Sequence, residues 1–146
     1  MKKLLSIMLV LLLVTGSACA SSYGMMAQYN YLAKCYGAPE LTEDMLMGDD
    51  DGKIAYDYGN LYFIFIPESN YSIVYGADSA DFLPACVCAS LTVTDSTTGV
   101  VDYLGQLLYA YMMVKSGKDM YFGNFGMYNF TISSKEDYLL FSIGEP

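Results

Sequence analysis

The stretch MGDDDGKIAYDYGNLYFIFI, residues 47–66, passes from an acidic segment into two runs of tyrosine, isoleucine and phenylalanine. Aromatic and β-branched side chains suit strands, and the Gly59-Asn60 pair between the two runs is a turn signal. The stretch therefore predicts two strands, over 53–58 and 61–67. A third run, over 71–75, follows a polar turn and completes a three-strand meander.

The acidic part of the same stretch has the pattern D-x-D-G-x-I, which is the middle of an EF-hand calcium loop. Aligning Asp49 and Asp51 with loop positions 3 and 5 puts Met47 at position 1 and Tyr58 at position 12, where calcium needs a carboxylate and a bidentate glutamate. Asp and Gly between apolar segments are also ordinary turn residues. We interpret the segment as a turn, and keep Asp49 and Asp51 as ligands of an irregular calcium site as the alternative.

Helices are predicted on either side of the meander. Apolar residues at helical spacing indicate a helix over 24–36, which Gly37 and Pro39 end. The segment 99–116 is apolar at almost every position and predicts a helix with Lys115 and Lys118 at its C-terminus, where a helix favours cations.

Two further segments follow from their patterns. The segment 80–94 fits a strand or a helix, and its length and its alanines favour a helix. The C-terminal segments 125–133 and 138–143 alternate apolar and polar residues around a charged turn, which predicts a hairpin.

This order of elements predicts one α+β domain over residues 21–146. We expect a five-stranded antiparallel sheet, made of the three-strand meander and the C-terminal hairpin, with a two-helix layer between them in the chain and an N-terminal helix. The helix over 99–116 has too little polar surface to face water alone. We expect it to turn Leu104, Leu107, Leu108 and Tyr111 toward the sheet. Its other side is then covered by the helix over 80–94, in a monomer, or by a second copy, in a homodimer; we favour the monomer.

The N-terminus predicts export. Residues 1–20 have a basic start, an apolar run over 4–14 that is too short to span a bilayer, and Ala18-Cys19-Ala20 as a cleavage site, the pattern of a bacterial signal peptide. Alternatively, Gly16-Ser17-Ala18-Cys19 resembles a lipobox, with Cys19 lipidated. We therefore expect a secreted protein or one lipid-anchored on the outer face of the cytoplasmic membrane, and membrane contact only through a Cys19 lipid.

Charge and residue inventory exclude several classes of function. The net charge is −9, and removal of residues 1–20 leaves five lysines against sixteen acidic residues, a net charge of about −11. Such a chain repels phosphate backbones, so we predict no nucleic-acid partner. The chain has no histidine and no arginine, which excludes Ser-His-Asp triads, histidine-ligated zinc and guanidinium clamps on phosphate. We predict no cofactor.

The cysteines do not form a recognised site. Cys86 and Cys88 have a C-x-C spacing, which is neither the C-x-x-C redox motif nor, together with Cys35, a complete zinc ligand set. We interpret Cys35, Cys86 and Cys88 as small buried residues. Whether Cys35 forms a disulfide bond is left open.

Tyrosine is the residue type that suggests a function. Several tyrosines lie on predicted strands, and amphipathic rings suit protein, peptide or carbohydrate surfaces. We predict a non-catalytic binding module whose ligand-binding residues are Tyr56, Tyr58, Tyr62, Tyr71, Tyr75 and Tyr128.

The alternative function is a small extracellular hydrolase or a carbohydrate-processing accessory that uses paired carboxylates. Its candidates are Glu68, Glu136 and Glu145, all in predicted turns or at the terminus.

Overall fold

Seven antiparallel strands form one sheet in the order β1-β2-β3-β4-β7-β6-β5. The structure is a computed structural model that describes residues 22–94 and 99–146. The predicted signal peptide over 1–20 and the predicted lipidation site Cys19 lie outside these residues. In chain order the elements are α1 (Ser22–Tyr36), β1 (Leu46–Asp50), β2 (Lys53–Asp57), β3 (Leu61–Ile66), β4 (Tyr71–Ala77), α2 (Phe82–Thr94), α3 (Val100–Lys115), β5 (Met120–Phe125), β6 (Tyr128–Lys135) and β7 (Tyr138–Gly144).

The predicted five-stranded sheet with a two-helix layer is wrong, because the sheet has seven strands and three helices pack on it in the described part of the chain. The segment predicted as one strand over 125–133 contains a reversal, since Phe125 pairs with Tyr128 around Gly126-Met127 and Gly126 has a φ of +60°. Sequence reasoning missed β1 because its residues are all exposed and no apolar alternation marks it.

The acidic segment of the opening stretch is the turn of the β1–β2 hairpin. Asp50 pairs with Lys53, and the two residues between them, Asp51 and Gly52, have φ values of +56° and +71°. Two successive positive φ angles define a type I′ turn, whose twist matches that of the flanking strands. The carboxylates of this segment are therefore positioned by a hairpin rather than by a helix-flanked loop.

The helices all lie on one face of the sheet. From α1, Tyr29 packs edge-on against Phe63, with ring centroids 5.3 Å apart. From α3, Tyr103 stacks on Phe125 at 4.3 Å. Because strand side chains alternate between faces, these sheet residues share the inner face with the other buried strand positions. Those positions are Ile54, Tyr56, Leu61, Phe65, Ser72, Val74, Phe130, Ile132, Leu139, Phe141 and Ile143.

The central element of the helical layer is α2. The segment over 80–94 is helical from Phe82 onward, and eleven of the thirteen residues of α2 are buried. Two of its buried hydroxyl groups are hydrogen-bonded inside the core: Ser90 Oγ donates to the Cys86 carbonyl at 2.6 Å and lies 2.5 Å from the Tyr103 hydroxyl of α3, and Thr92 Oγ1 donates to the Cys88 carbonyl at 2.7 Å. A helix that is buried all round needs such internal partners, because an unpaired buried hydroxyl is destabilising.

The expected orientation of α3 is partly wrong. Its buried residues are Tyr103, Leu107, Ala110 and Val114, whereas Leu108 is exposed. The central position of the helical layer is occupied by α2, and α3 lies over β5 and β6 at the side of the layer.

One glycine is required by close backbone approach. The N–H of Ala77 donates to the Asn60 carbonyl at 2.9 Å, which brings the β2–β3 loop against the end of β4. At Gly76, which has a φ of +154°, a Cβ atom would collide with the Asn60 carbonyl oxygen. Only glycine fits between the two segments.

We expect Gly76→Ala to lower the free energy of unfolding by roughly 2–4 kcal/mol, since backbone atoms have to move to admit the methyl group. Gly48→Ala on the exposed strand β1 is the matched control, because a Cβ there meets nothing within 4 Å. Urea denaturation of both variants measures the difference. Equal stability of the two variants would contradict the close approach.

Candidate functional site

The outer face of the sheet, opposite the helices, carries a row of three tyrosines across its centre. Tyr62 on β3 pairs in register with Tyr75 on β4, and Tyr138 on β7 lies diagonally beyond. The ring centroids are 5.4 Å apart for Tyr62 and Tyr75 and 5.6 Å apart for Tyr75 and Tyr138. We call Tyr62, Tyr75 and Tyr138 the tyrosine row.

The tyrosine row is accessible although its rings contact one another. Tyr75 is 37% exposed and Tyr138 is 48% exposed. The interplanar angles are 25° and 38°, so the faces of Tyr75 are turned toward its two neighbours. The rings therefore present their edges and hydroxyl groups outward, while their faces are largely occupied within the row.

An apolar surface surrounds the row. By strand register the outer face also includes Ile64, Ile66, Ile73 and Leu140, which are half-buried or exposed. The hydroxyls of Thr131 and Ser142 lie 2.7 Å apart on the neighbouring strands, satisfying each other. The face thus combines a central apolar area with hydroxyl groups at its centre and side.

Acidic residues lie at both ends of the tyrosine row. Asp57 pairs in register with Tyr62 at one end. At the other end, Tyr138 borders a cavity of about 250 Å³ that is also lined by Asp78, Glu136 and Asp137. Asp78 accepts a hydrogen bond from the Tyr111 hydroxyl at 2.6 Å and forms an ion pair with Lys115. The rim of the surface is therefore mainly negative.

The six tyrosines predicted from the sequence are divided between the two faces of the sheet. Tyr62, Tyr71 and Tyr75 lie on the outer face, and the ring of Tyr71 covers Gly144, where a Cβ atom would collide with it. Tyr56 is buried in the core, and Tyr58 and Tyr128 pack against it. These last three are unavailable to a ligand on the open face.

The alternation of apolar and polar residues along each strand indicates which tyrosines lie on the outer face and which lie on the inner face. In β2, Ile54 and Tyr56 alternate with Lys53, Ala55 and Asp57. The set that contains the two charged residues faces outward, so Tyr56 faces inward. In β7, Tyr138 and Leu140 belong to the set that includes Ser142, which places them outward. Tyr138, which also lies on a predicted strand, was absent from the predicted site, although its parity with Ser142 places it on the outer face.

The three carboxylates of the hydrolase alternative do not all lie together. Glu145 accepts a hydrogen bond from Asn70 at 2.9 Å and lies with Glu68 near one end of the central strands. Glu136 is in the β6–β7 turn at the opposite end of β7. Because a seven-residue strand spans about 20 Å, Glu136 cannot act with either of the other two on one bond.

The cysteines of the described chain are free thiols with separate environments. Cys86 and Cys88 are buried in α2 and Cys35 is exposed on α1. Burial raises the pKa of Cys86 well above 9 and the pKa of Cys88 to about 12, with a smaller contribution from Cys35 at Cys88. Both buried thiols are therefore protonated at neutral pH. Among the described residues no group of three or more His, Cys, Asp or Glu side chains is arranged to hold a metal ion.

No helix within residues 22–94 and 99–146 is long and apolar enough to cross a membrane. Searches against protein-family models, curated proteins and solved structures found no match. The function is therefore argued from the geometry of the surface.

We expect 5 mM CaCl2 to leave the melting temperature unchanged relative to 5 mM MgCl2, since a ligand that binds only the native state must raise it. Asp51→Asn is the matched variant, because Asn-Gly also forms type I′ turns and keeps the hairpin. A calcium-dependent rise in melting temperature that Asp51→Asn abolishes would restore the calcium site.

Stability should fall as the pH rises above 9. Burial raises the pKa of Cys86 and Cys88, and also of Tyr29 and Tyr103, so the unfolded chain loses protons that the native chain keeps. Each such group removes about 1.4 kcal/mol per pH unit between its unfolded and folded pKa. The stabilising effect is complete below pH 9 and decreases toward pH 12.

Urea denaturation at several pH values between 7.5 and 10.5 measures this dependence. The double variant Cys86→Ala, Cys88→Ala should have a shallower slope than the wild type, whereas Cys35→Ala should keep the wild-type slope. An unchanged slope in the double variant would contradict the assignment to the buried thiols.

Proposed function

We propose that this protein is a non-catalytic binding module outside the cytoplasm, and that it recognises a protein or peptide on the open face of its sheet. The observation that carries the proposal is the tyrosine row, which lies on the face that no described helix covers. The signal-peptide pattern of residues 1–20 supports the location.

The composition of this face supports a macromolecular partner. Protein interfaces place aromatic and aliphatic groups at the centre and polar groups at the rim. Here the tyrosine row and the isoleucines of β3 and β4 form the centre, and Asp57, Glu136 and Asp137 lie at the ends. Tyrosine is also a frequent hot-spot residue, since it contributes a large contact area at low entropic cost.

Ring orientation favours protein over carbohydrate. A sugar stacks its C–H groups on an open aromatic face, but the faces of Tyr75 are turned toward Tyr62 and Tyr138. Outward-facing edges and hydroxyls suit side chains and peptide groups of a partner, which bring both apolar contact and hydrogen-bond acceptors. The negative rim favours a partner with lysine or arginine at the border of the contact.

Catalysis on the cavity beside Tyr138 has less support. Glu136 and Asp137 are exposed in a turn, and Asp78 is engaged by Lys115 and Tyr111. A carboxyl group that acts as the acid in glycoside cleavage is usually shielded from water. We therefore do not retain the hydrolase as a second function.

The proposal is tested by selecting binders from a random peptide library displayed on phage and measuring their affinity for purified variants by fluorescence polarisation. We expect Tyr75→Ala to weaken binding about 30-fold, the effect of losing a hot-spot residue of about 2 kcal/mol. Tyr31→Ala is the matched control, because Tyr31 is 50% exposed but lies on α1. Melting temperatures verify that both variants are folded.

Two results would contradict the proposal. The first is a set of selected peptides whose affinity is the same for Tyr75→Ala and wild type. The second is binding to a glycan array that Tyr75→Ala abolishes, in the absence of selected peptides, which would move the ligand class to carbohydrate.

A further inference from the structure

The side of α3 that faces away from the sheet is apolar, and no residue within 22–94 and 99–146 covers it. Val101 is 82% exposed, Leu108 is 48% exposed and Met112 is 61% exposed, and Gly105 lies between them. Their spacing of four, three and four residues puts them along one side of the helix, opposite the buried Tyr103 and Leu107. We call Val101, Gly105, Leu108 and Met112 the outward stripe.

The neighbouring helix leaves this stripe open. The contacts of α3 with the centre of the molecule are made by its flank, where Tyr111 stacks on Phe82 of α2 and bonds to Asp78. On the other flank, Tyr109 packs edge-on against Tyr121 of β5. Both neighbours are beside α3, so no element of the described chain lies over the outward stripe.

We propose that the outward stripe is the interface of a two-fold symmetric dimer, in which α3 packs antiparallel against α3 of a second copy. This inference is independent of the proposed function, because the helices and the tyrosine row are on opposite faces of the sheet.

Charge favours a second copy at this surface. The chain has a net charge of −9, so two copies that meet at most parts of their surfaces bring carboxylates together. Between Asp102 and Lys115, however, α3 has no charged residue, and Lys115 is neutralised by Asp78. The outward stripe is therefore a surface where like-charge repulsion between copies is small.

The stripe also fits itself in the antiparallel orientation. If the two-fold axis passes between Leu108 and Tyr109, Gly105 of one copy lies at the level of Met112 of the other, since these residues are equally distant from the axis. A Cβ atom at Gly105 would meet nothing within 4 Å in its own chain. The space above Gly105 can therefore accept the Met112 side chain of the other copy. The antiparallel orientation also aligns the dipoles of the two helices favourably.

The size of the stripe predicts a weak dimer. Exposed apolar patches of several hundred Å² are at the upper end for a monomer and mark interaction sites. An interface centred on three apolar side chains and one glycine from each copy is small compared with the roughly 1,200–2,000 Å² that specific interfaces bury. We expect dissociation in the micromolar range, and a dimer whose two tyrosine rows face away from each other and can both bind.

Sedimentation velocity of the purified protein between 1 and 200 µM tests the proposal. We expect the mass to rise toward twice the 16.1 kDa of the chain, less any removed N-terminal segment. Leu108→Glu should raise the dissociation constant at least tenfold while keeping the wild-type circular dichroism. Phe122→Glu is the matched control, since Phe122 is also exposed and apolar but lies on β5, and it should leave the dimer unchanged.

Cysteine cross-linking tests the orientation in a Cys35→Ser background. With Leu108→Cys, the two introduced thiols lie about 2 Å apart along the helix axis in the antiparallel pair, so a mild oxidant should give a covalent dimer. With Val101→Cys they are about 22 Å apart and should not react.

A protein that is monomeric at 200 µM would overturn the inference. A dimer that survives Leu108→Glu, or one that only Phe122→Glu dissociates, would place the interface elsewhere and overturn it as well. Equal cross-linking at both positions would exclude the antiparallel orientation.

Discussion

The pairing of β4 with β7 is the interaction on which the rest of this structure depends. Six residue pairs, from Ser72–Ile143 to Ala77–Tyr138, join the N-terminal meander to the C-terminal strands. Without this ladder the chain would consist of two small sheets with a helical hairpin between them, each with an unpaired hydrophobic edge. With it, the inner face becomes one continuous surface on which the helices pack. On the outer face, tyrosines from β3, β4 and β7 come together in one row.

The helical layer then has one central position over β4 and β7, and α2 occupies it. The Ser72 hydroxyl of β4 donates to the Ala89 carbonyl of α2 at 3.3 Å, and α1 and α3 lie on either side. A central helix is covered all round, which its high apolar content requires. Within the described part of the chain, the lateral helix α3 is covered by the sheet and by the flanks of its neighbours, and a part of its apolar surface stays exposed. The same arrangement that completes the core therefore creates a surface that is apolar and uncharged.

The candidate site is a surface rather than a pocket, which agrees with the chemistry that the chain can perform. Without histidine and arginine, the side chains available for recognition are tyrosine, acidic residues, hydroxyls and a few lysines. On the outer face these residues form an apolar centre with a negative rim, and the tyrosine rings contact one another within the row. Preorganised aromatic groups lose little conformational entropy on binding, which makes a flat surface of this kind effective.

The sequence by itself determined the α+β class, the helices over 24–36 and 99–116, the D-G turn and the strands with clear alternation, because these features follow from local periodicity and turn chemistry. It favoured a helix over 80–94 without excluding a strand. It could not show β1, whose exposed residues have no apolar pattern and which exists because a type I′ turn pairs it with β2. Strand parity is needed to tell which tyrosines lie on the outer face. Their assembly into a row depends on the β4–β7 pairing, which joins segments that are more than sixty residues apart in the chain. Only the tertiary structure decided which apolar helix is central. Both α2 and α3 are apolar enough to be buried, and the choice between them depends on which helix the folded sheet can cover on every side.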